Sequence, residues 1–226
     1  MRSMKGQVAL LTAAGTETTR AAALRLSAAG MKVAVCAPLP ETADALAREI
    51  NQLGGEALPF GGDLGNQDFA TEVVQLTLNH YGCLDCLVIN AATWGGGLIH
   101  EHSVKTWDLI LTENLRAPFL LLHAALPHFR QQQHGDILLL TSESALQSYE
   151  RDGSYGVALH GVLALFEEAR LENAADGIRV QTLITSLVQS NRQGIQAQDI
   201  ADWVQWLLQQ PQNLQVTAPV VLIEKP

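Results

Sequence analysis

The sequence predicts an α/β protein whose parallel sheet is covered by helices on both faces. Short apolar runs rich in Val, Ile, Leu and Ala alternate along the chain with longer segments of helical periodicity. Continuous apolar runs are typical of strands buried on both faces, and strands that alternate with helices form parallel sheets with right-handed crossovers. The length of 226 residues fits one such unit. We therefore predict a single three-layer, doubly wound domain over residues 1–226.

The first half of the chain contains four predicted strands and the three helices that connect them. Gly30 and the Gly54-Gly55 pair directly follow the first two helices, and glycine commonly ends a helix at this place. The strands are predicted at residues 7–12, 31–37, 56–60 and 86–90, and the helices at residues 18–29, 41–53 and 69–81.

The second half repeats this alternation with longer helices. A helical stretch is predicted over residues 103–133, with Pro118 as a candidate break because proline disrupts a helix interior. The remaining strands are predicted at residues 136–141, 179–184 and 216–223, and the remaining helices at residues 154–173 and 200–209.

The composition argues against nucleic acid, membranes and the secretory route. The formal net charge is −9, whereas phosphate binding needs clustered Lys and Arg. No apolar run reaches the roughly 18 residues of a membrane span, and residues 1–5 lead into the first strand without a secretory leader. An odd count of three cysteines indicates reduced thiols. We expect a cytoplasmic protein without nucleic-acid or membrane partners.

Two short motifs have spacings that metals use, but neither is complete. Cys83 and Cys86 are followed by no second Cys/His pair at zinc-site spacing, and Cys86 begins an apolar run typical of a core strand. His100 and His102 alternate without a third ligand, which favours a solvated surface. We predict no metal site.

Six short motifs occur in a fixed order along the predicted strands and helices. Three of them lie at or after the ends of strands: Thr12, Asp63-Leu64 and Asn90-Ala91-Ala92. The others are Trp107-Asp108 with Asn114, Ser142 thirteen residues before Tyr155, and Ile178-Arg179-Val180. In this order and at these intervals the chain resembles the short-chain dehydrogenase/reductase family over nearly its whole length.

The resemblance implies a Rossmann fold that binds NAD or NADP and moves a hydride between nicotinamide and a carbonyl or alcohol. In the family a tyrosine exchanges a proton with the substrate oxygen, a serine hydrogen-bonds that oxygen, and an asparagine has structural and proton-relay roles. The matching catalytic residues are Ser142, Tyr155 and Asn114. The matching cofactor-binding residues are Thr12, Gly15, Thr16, Asp63, Leu64, Asn90, Ala91 and Ser190.

The turn that would face the phosphates departs from the family pattern. Ala13, Glu17 and Thr19 replace the three glycines that allow a tight turn, close approach of pyrophosphate and close helix packing. A carboxylate at Glu17 repels phosphates unless it turns outward. The helix start still offers N–H groups, and the neighbouring hydroxyls of Thr16 and Thr18 either add donors or only cap the helix. The turn predicts weak or absent dinucleotide binding.

The family's catalytic lysine, four residues after the tyrosine, is replaced by Leu159. This spacing stacks two side chains on one helix face, where the cation lowers the pKa of the tyrosine and holds the nicotinamide ribose. A nearby cation typically lowers a pKa by about 1–3 units, so its loss costs about 1.4–4 kcal/mol. His160 lies about 100° further around the helix and is poorly placed to substitute.

Other family signals are also missing. Residues 37–39 contain neither an acidic residue for a ribose hydroxyl nor an arginine for a 2′-phosphate, so a preference for NAD or NADP is unmarked. Thr185-Ser186 stands in place of Pro-Gly, and only residues 187–196 separate the sixth strand from the next helix. The family usually inserts helices that cover the substrate here, so we expect almost no lid.

These observations leave three functions open. The favoured one is a member of this oxidoreductase family with little or no ordinary activity, acting as a subunit or scaffold. The second is an active, divergent NAD(P)-dependent carbonyl or alcohol oxidoreductase that uses Ser142 and Tyr155. The third is a dinucleotide or metabolite sensor without turnover.

The long helices predict assembly into a dimer or tetramer, or with an active relative. The apolar residues of segments 118–122 and 162–166 exceed what one core-facing stripe needs. Family members pair through these helices in two-fold interfaces. The alternative is that these residues are buried within the single chain.

Overall fold

The computed structural model describes residues 1–91, 93–186 and 194–223, which include one seven-stranded sheet. The strands are β1 (Val8–Leu11), β2 (Lys32–Ala37), β3 (Ala57–Gly61), β4 (Cys86–Ala91), β5 (Gly135–Ser142), β6 (Ile178–Thr185) and β7 (Val220–Leu222). Their order in the sheet is β3-β2-β1-β4-β5-β6-β7, and every neighbouring pair is parallel. The predicted doubly wound parallel sheet is confirmed.

Helices cover both faces of this sheet. They are α1 (Glu17–Ala28), α2 (Pro40–Gln52), α3 (Gln67–Tyr81), α4 (Val104–Leu111), α5 (Ala117–Gln132), α6 (Ser154–Asn173) and α7 (Ala197–Leu208). One core lies between the sheet and α3, α5 and α6, and includes the fully buried Phe129 and Phe166. A second core lies between the sheet and α1, α2 and α7.

The predicted helix ends agree with the backbone at the glycines. Gly30 has φ +91° and Gly54 has φ +86°, a region that side chains with a Cβ rarely adopt. Helices α1 and α2 end just before these residues. Glycine therefore permits the chain to turn back into the next strand.

The long helical stretch is interrupted just before Pro118. A π-turn over Thr112–Arg116 joins α4 to α5, whereas Pro118 lies in the first turn of α5. A proline there is tolerated because the first N–H groups of a helix have no intrahelical acceptor. The interruption expected near Pro118 is therefore present, but it is the π-turn directly before α5 and not a break at the proline itself.

The stretch Val104–Gln132 is long and apolar enough to cross a membrane, judged by length and composition alone. A helix in the core of a globular protein passes the same test, and this stretch packs against α3 and α6. Its length is thus weak evidence for a membrane span.

Strand order creates a crevice at the centre of the sheet. From β1 the chain continues to β2 and β3 on one side, and from β4 it continues towards β7 on the other. In open α/β sheets, ligands bind beyond the carboxyl ends of the strands at such a reversal. The motifs that follow β1, β3, β4 and β5 lie at this edge.

Candidate active site

Two adjoining cavities lie at the carboxyl edge of the sheet. The first, of about 280 Å³, is lined by the turn after β1, the end of β2 and the loop after β3. The second, of about 400 Å³, is lined by the end of β5 and the start of α6. Thr16 and Asn90 line both cavities. Because they share these two residues, the cavities adjoin along the edge of the sheet.

The phosphate turn replaces glycines with a network of hydroxyl groups. The Asn90 side-chain amide donates hydrogen bonds to the hydroxyls of Thr16 (3.1 Å) and Thr19 (3.2 Å), and its backbone N–H donates to Thr12 Oγ1 (3.0 Å). Thr16 also caps α1 by accepting from the Thr19 N–H (3.2 Å). The network ties the helix start to the end of β4, so the hydroxyl of Thr16 both caps the helix and lines the cavity.

Two of the residues that replace glycine behave differently from each other. Ala13 adopts the left-handed conformation with φ +55°, which is unfavourable for a residue with a Cβ. Glu17 is the first residue of α1, is exposed to solvent and is absent from the residues that line the two cavities. Its carboxylate stabilises the positive helix start from the solvent side.

Ser142 and Tyr155, which the family resemblance pairs, both line the second cavity. Tyr155 is buried, and the Trp94 indole contacts its ring edge to face, with 4.9 Å between the ring centroids. Trp94 folds over Gly96, where a Cβ would lie 2.3 Å from the indole. The side of the cavity next to the phenol is thus aromatic, and the hydroxyl groups of Ser142 and Ser144 also line it.

The phenol of Tyr155 lacks an activating cation at the next helix turn. Leu159 is fully buried there and packs in the core with Tyr155. Burial raises the pKa of Tyr155; the hydrogen bond with Ser142 acts in the opposite direction, and the charge of Asp152 raises the pKa further. The net effect is a pKa above the ordinary value, so the phenol is neutral at physiological pH.

Asn114 lies in the π-turn, and its side chain connects two segments. Its Oδ1 accepts from the Thr93 N–H (2.8 Å), and its amide donates to the carbonyls of Thr93 (2.9 Å) and Ile110 (3.1 Å). The side chain is fully buried and is not among the residues that line the second cavity. Its geometry accounts for a structural role, while the catalytic role stays a prediction.

The other predicted cofactor residues are distributed unevenly. Thr12, Gly15, Thr16, Asp63, Leu64 and Asn90 all line the first cavity. Ala91 is buried in β4 and is not among the lining residues. Ser190 lies outside the described residues. The same is true of residues 187–193, which form most of the segment 187–196 where we expected almost no lid.

Neither His160 nor Cys86 is among the residues that line the two cavities. His160 is exposed and its Nδ1 lies 2.8 Å from the Gly156 carbonyl oxygen, so it does not replace the lysine. Cys86 is buried in β4, as its apolar run predicts. No group of three potential metal ligands occurs among residues 1–91, 93–186 and 194–223.

Two lining residues escaped the sequence analysis. Trp94 lies two residues after the Asn90-Ala91-Ala92 motif and directly before three glycines. A single large aromatic residue beside a run of glycines could have marked it as a lining residue. Glu113 lines the first cavity together with Asp63. Nothing in the helical periodicity marks Glu113, because the π-turn sets its direction.

Comparison with known proteins places the chain in a family. The profile of the family described as short chain dehydrogenase matches residues 7–200. The chain therefore belongs to the short-chain dehydrogenase family. It is 30% identical over 189 residues to a 3-oxoacyl-[acyl-carrier-protein] reductase of Synechocystis, covering 83% of this chain and 76% of that protein. An uncharacterized oxidoreductase of Staphylococcus epidermidis is 24% identical, with 96% of each chain covered.

Solved structures agree with this assignment. A metagenomic short-chain oxidoreductase in complex with NADP has 30% identity and a TM-score of 0.86, with 97% of this chain and 99% of that chain covered. An alcohol dehydrogenase of Thermococcus sibiricus complexed with 5-hydroxy-NADP shares the fold, with a TM-score of 0.89, 23% identity and 96% of each chain covered.

Proposed function

We propose that this chain is a dinucleotide-binding member of the short-chain dehydrogenase family with little or no ordinary NAD(P)-dependent activity at neutral pH. The observation that carries the proposal is the buried Leu159 one helix turn after Tyr155. Without a cation at that place, the buried phenol keeps a raised pKa and is a poor base for alcohol oxidation. Residues Thr12, Thr16, Asp63 and Asn90 would hold the nucleotide, which would supply or accept the hydride.

Dinucleotide binding is expected to be weak. The left-handed Ala13 carries a methyl group in the turn where the family has glycine, and Thr19 fills the place of the third glycine. Neither cavity has a Lys or Arg among its described lining residues. A pyrophosphate therefore depends on the N–H groups at the start of α1, and a 2′-phosphate at the end of β2 has no cation among the described lining residues.

Substitution of Leu159 by lysine tests the role of the missing cation. We expect Leu159→Lys to increase turnover on a panel of aldehydes, ketones and alcohols by roughly tenfold or more, because a nearby cation lowers a pKa by about 1–3 units. Leu159→Met is the matched control, since it keeps an apolar side chain of similar size. Thermal unfolding shows whether each variant is folded.

An unchanged rate in a folded Leu159→Lys protein would contradict the proposal that the missing cation limits activity. Dinucleotide titration by calorimetry is measured in parallel. If the natural protein itself turns over a substrate of the panel at an ordinary enzymatic rate of about 1 s⁻¹ or more, the little-activity proposal fails.

A second candidate is an active, divergent carbonyl or alcohol oxidoreductase. It is favoured by the shared cavity of Ser142 and Tyr155 and by the Synechocystis relative, which is named a reductase. A neutral phenol can still donate a proton during carbonyl reduction. This candidate predicts reduction that is lost in Tyr155→Phe. It also predicts that alcohol oxidation rises with pH beyond the ordinary tyrosine value of about 10, because the pKa is raised.

A third candidate is a sensor that binds a dinucleotide or metabolite without turnover. It is favoured by the contrast between a nucleotide cavity that keeps Asp63 and Asn90 and a phenol that lacks activation. Measurable binding with no turnover in either direction would support the sensor. Under each of the three candidate functions, we propose that the protein is cytoplasmic and that its cysteines are reduced.

The proposal includes assembly with a second copy or with an active relative. Many of the apolar residues that motivated this expectation are buried in the single chain, including Pro118, Leu120 and Val162. Phe119 remains about half exposed, beside a groove that α4, α5 and α6 form together. The argument for an interface therefore rests on this groove.

A further inference from the structure

Three aromatic side chains line the second cavity, whose volume of about 400 Å³ is that of a small-molecule site. Tyr155 is buried, whereas Trp94 and Tyr149 are 64% and 40% exposed. The Trp94 indole packs on the Tyr155 ring, yet most of its surface faces solvent. Large aromatic side chains that stay exposed at a cavity offer a contact surface to a ligand.

Asp152, two residues before α6, holds two of these aromatic residues in position. Its Oδ2 accepts a hydrogen bond from the Tyr149 N–H (3.1 Å), and its carbonyl oxygen accepts one from the Tyr155 N–H (3.0 Å). The Gln147 side-chain amide donates to the Tyr149 hydroxyl. Tyr149 therefore has a paired hydroxyl, and its main contribution to the cavity is an aromatic ring.

One carboxylate lies among these aromatic rings. Glu143 follows Ser142 directly, is partly buried and lines the same cavity. Its backbone is fixed in a short turn, in which the Ser144 N–H donates to Ser142 Oγ (3.2 Å) and the Leu146 N–H donates to the Glu143 carbonyl (2.9 Å). Within the part of the chain that the structure describes, no hydrogen bond or ion pair engages the Glu143 carboxylate. Its charge is therefore available to a ligand.

We propose that the second cavity selects a carbonyl or alcohol compound that carries an ammonium group, with Glu143 and Trp94 recognising the cation. This inference rests on the proposed function, because it names the substrate class of the same site. A partly buried carboxylate is stabilised when a cation pairs with it. Aromatic faces attract the same cation through their negative π-surface, and Trp does so most strongly. The hydroxyls of Ser142 and Tyr155 remain for the oxygen of the compound.

The sign of the ligand's charge is what this lining discriminates. A cation is attracted both by the carboxylate and by the aromatic faces, whereas an uncharged compound of the same shape keeps only the apolar contacts. An anion is repelled by Glu143 and meets no Lys, Arg or His among the described lining residues. The preference therefore runs in one direction, from cation to uncharged compound to anion.

Calorimetric titration with two matched ketones tests the proposal. Phenacyltrimethylammonium carries a permanent positive charge, and neopentyl phenyl ketone has the same shape with carbon in place of the nitrogen. We expect the cation to bind roughly 10- to 100-fold more tightly than the uncharged ketone. Benzoylpropionate, an aromatic ketone with a carboxylate, should bind more weakly than both. A separate titration with NADH tests the proposed dinucleotide binding.

Three variants assign the preference to particular residues, and thermal unfolding shows whether each is folded. Glu143→Gln removes the charge at nearly constant size, so it should lower the preference roughly tenfold and leave the affinity for the uncharged ketone unchanged. Trp94→Leu removes an aromatic face and should lower the preference roughly two- to fivefold. Glu168→Gln removes an exposed carboxylate of α6 outside the cavity, and as the control for net charge it should leave the preference unchanged.

The outcomes separate this inference from the proposed function. Equal affinities for the two ketones, or no binding of the cation at millimolar concentration, would overturn the inference even where NADH binds. A folded Glu143→Gln protein that keeps the natural preference would overturn it too, as would an equal loss in Glu168→Gln. If the cation is preferred and loses its advantage in Glu143→Gln while NADH does not bind, the cation site stands and the proposed dinucleotide binding fails.

Discussion

At the scale of single residues, the phosphate turn keeps its shape without the glycines of the family. Thr19 is buried, and its hydroxyl accepts a hydrogen bond from Asn90, so this replacement is compensated by a new contact. Ala13 has no such compensation, because its cost lies in the backbone conformation itself. One replacement is therefore accommodated and the other is strained.

We expect Ala13→Gly to stabilise the protein by up to about 1 kcal/mol. The left-handed conformation costs a residue with a Cβ about 1–2 kcal/mol, from which about 0.5–1 kcal/mol is subtracted for the greater freedom of glycine in the unfolded chain. Urea unfolding measures the change. Ala14→Gly is the control: Ala14 is buried and has no positive φ, so its replacement should destabilise. Equal effects of the two substitutions would contradict the strain at Ala13.

At the scale of elements, the π-turn between α4 and α5 organises both cavities. It directs Asn114 inward, where the side chain holds the loop that carries Trp94, and it directs Glu113 towards the nucleotide cavity. The same turn therefore holds the loop of Trp94 at the second cavity and carries Glu113, which lines the first cavity.

We expect Asn114→Ala to destabilise the protein by about 2–4 kcal/mol. The substitution empties a fully buried site and removes three hydrogen bonds, of which the two to Thr93 are part-buried and the one to the Ile110 carbonyl is buried. Asn51→Ala is a matched control, because the Asn51 amide also pairs with both backbone groups of one residue, Ala57, but at an exposed position. Its cost should be about 1 kcal/mol or less. Similar unfolding free energies for both variants would show that Asn114 is not a structural link.

At the scale of the whole molecule, the remaining question is what covers the groove of α4, α5 and α6. Leu111, Leu115, Phe119 and Leu165 line it together with Asp108, Thr112 and Arg116. The exposed Leu109 and Val157 lie on the same helices, α4 and α6. A self-complementary pairing of two copies would bury such a surface.

We expect light scattering to give a mass of at least two chains of 24.4 kDa. Phe119→Glu should shift the protein towards the monomer, because it places a charge in a contact that excludes water. Leu53→Glu changes an even more exposed apolar residue at the end of α2 and should leave the mass unchanged. A mass of one chain for the natural protein over a tenfold concentration range would exclude this assembly.

Most of the fold could be predicted because buried parallel strands leave continuous apolar runs. Both ends of each of the strands β1 to β6 lie within one residue of the prediction. The last strand is shorter than its apolar run, since only Val220–Leu222 pairs with β6 at the edge of the sheet. Edge pairing depends on the neighbouring strand, which periodicity does not describe.

The sequence by itself determined the layers, the strand order along the chain, the meeting of Ser142 with Tyr155 and the loss of the lysine. The layers and the strand order follow from local patterns, and the loss of the lysine follows from the fixed helix spacing, whereas the pairing of Ser142 with Tyr155 is implied by the family resemblance. Only the tertiary structure decided that Ala13 is strained, that the Asn114 side chain is held inward, that Trp94 packs on Tyr155 and that Glu113 faces Asp63. The physical reason is that each depends on contacts between segments distant in sequence or on a π-turn, and neither leaves a periodic signal in the chain.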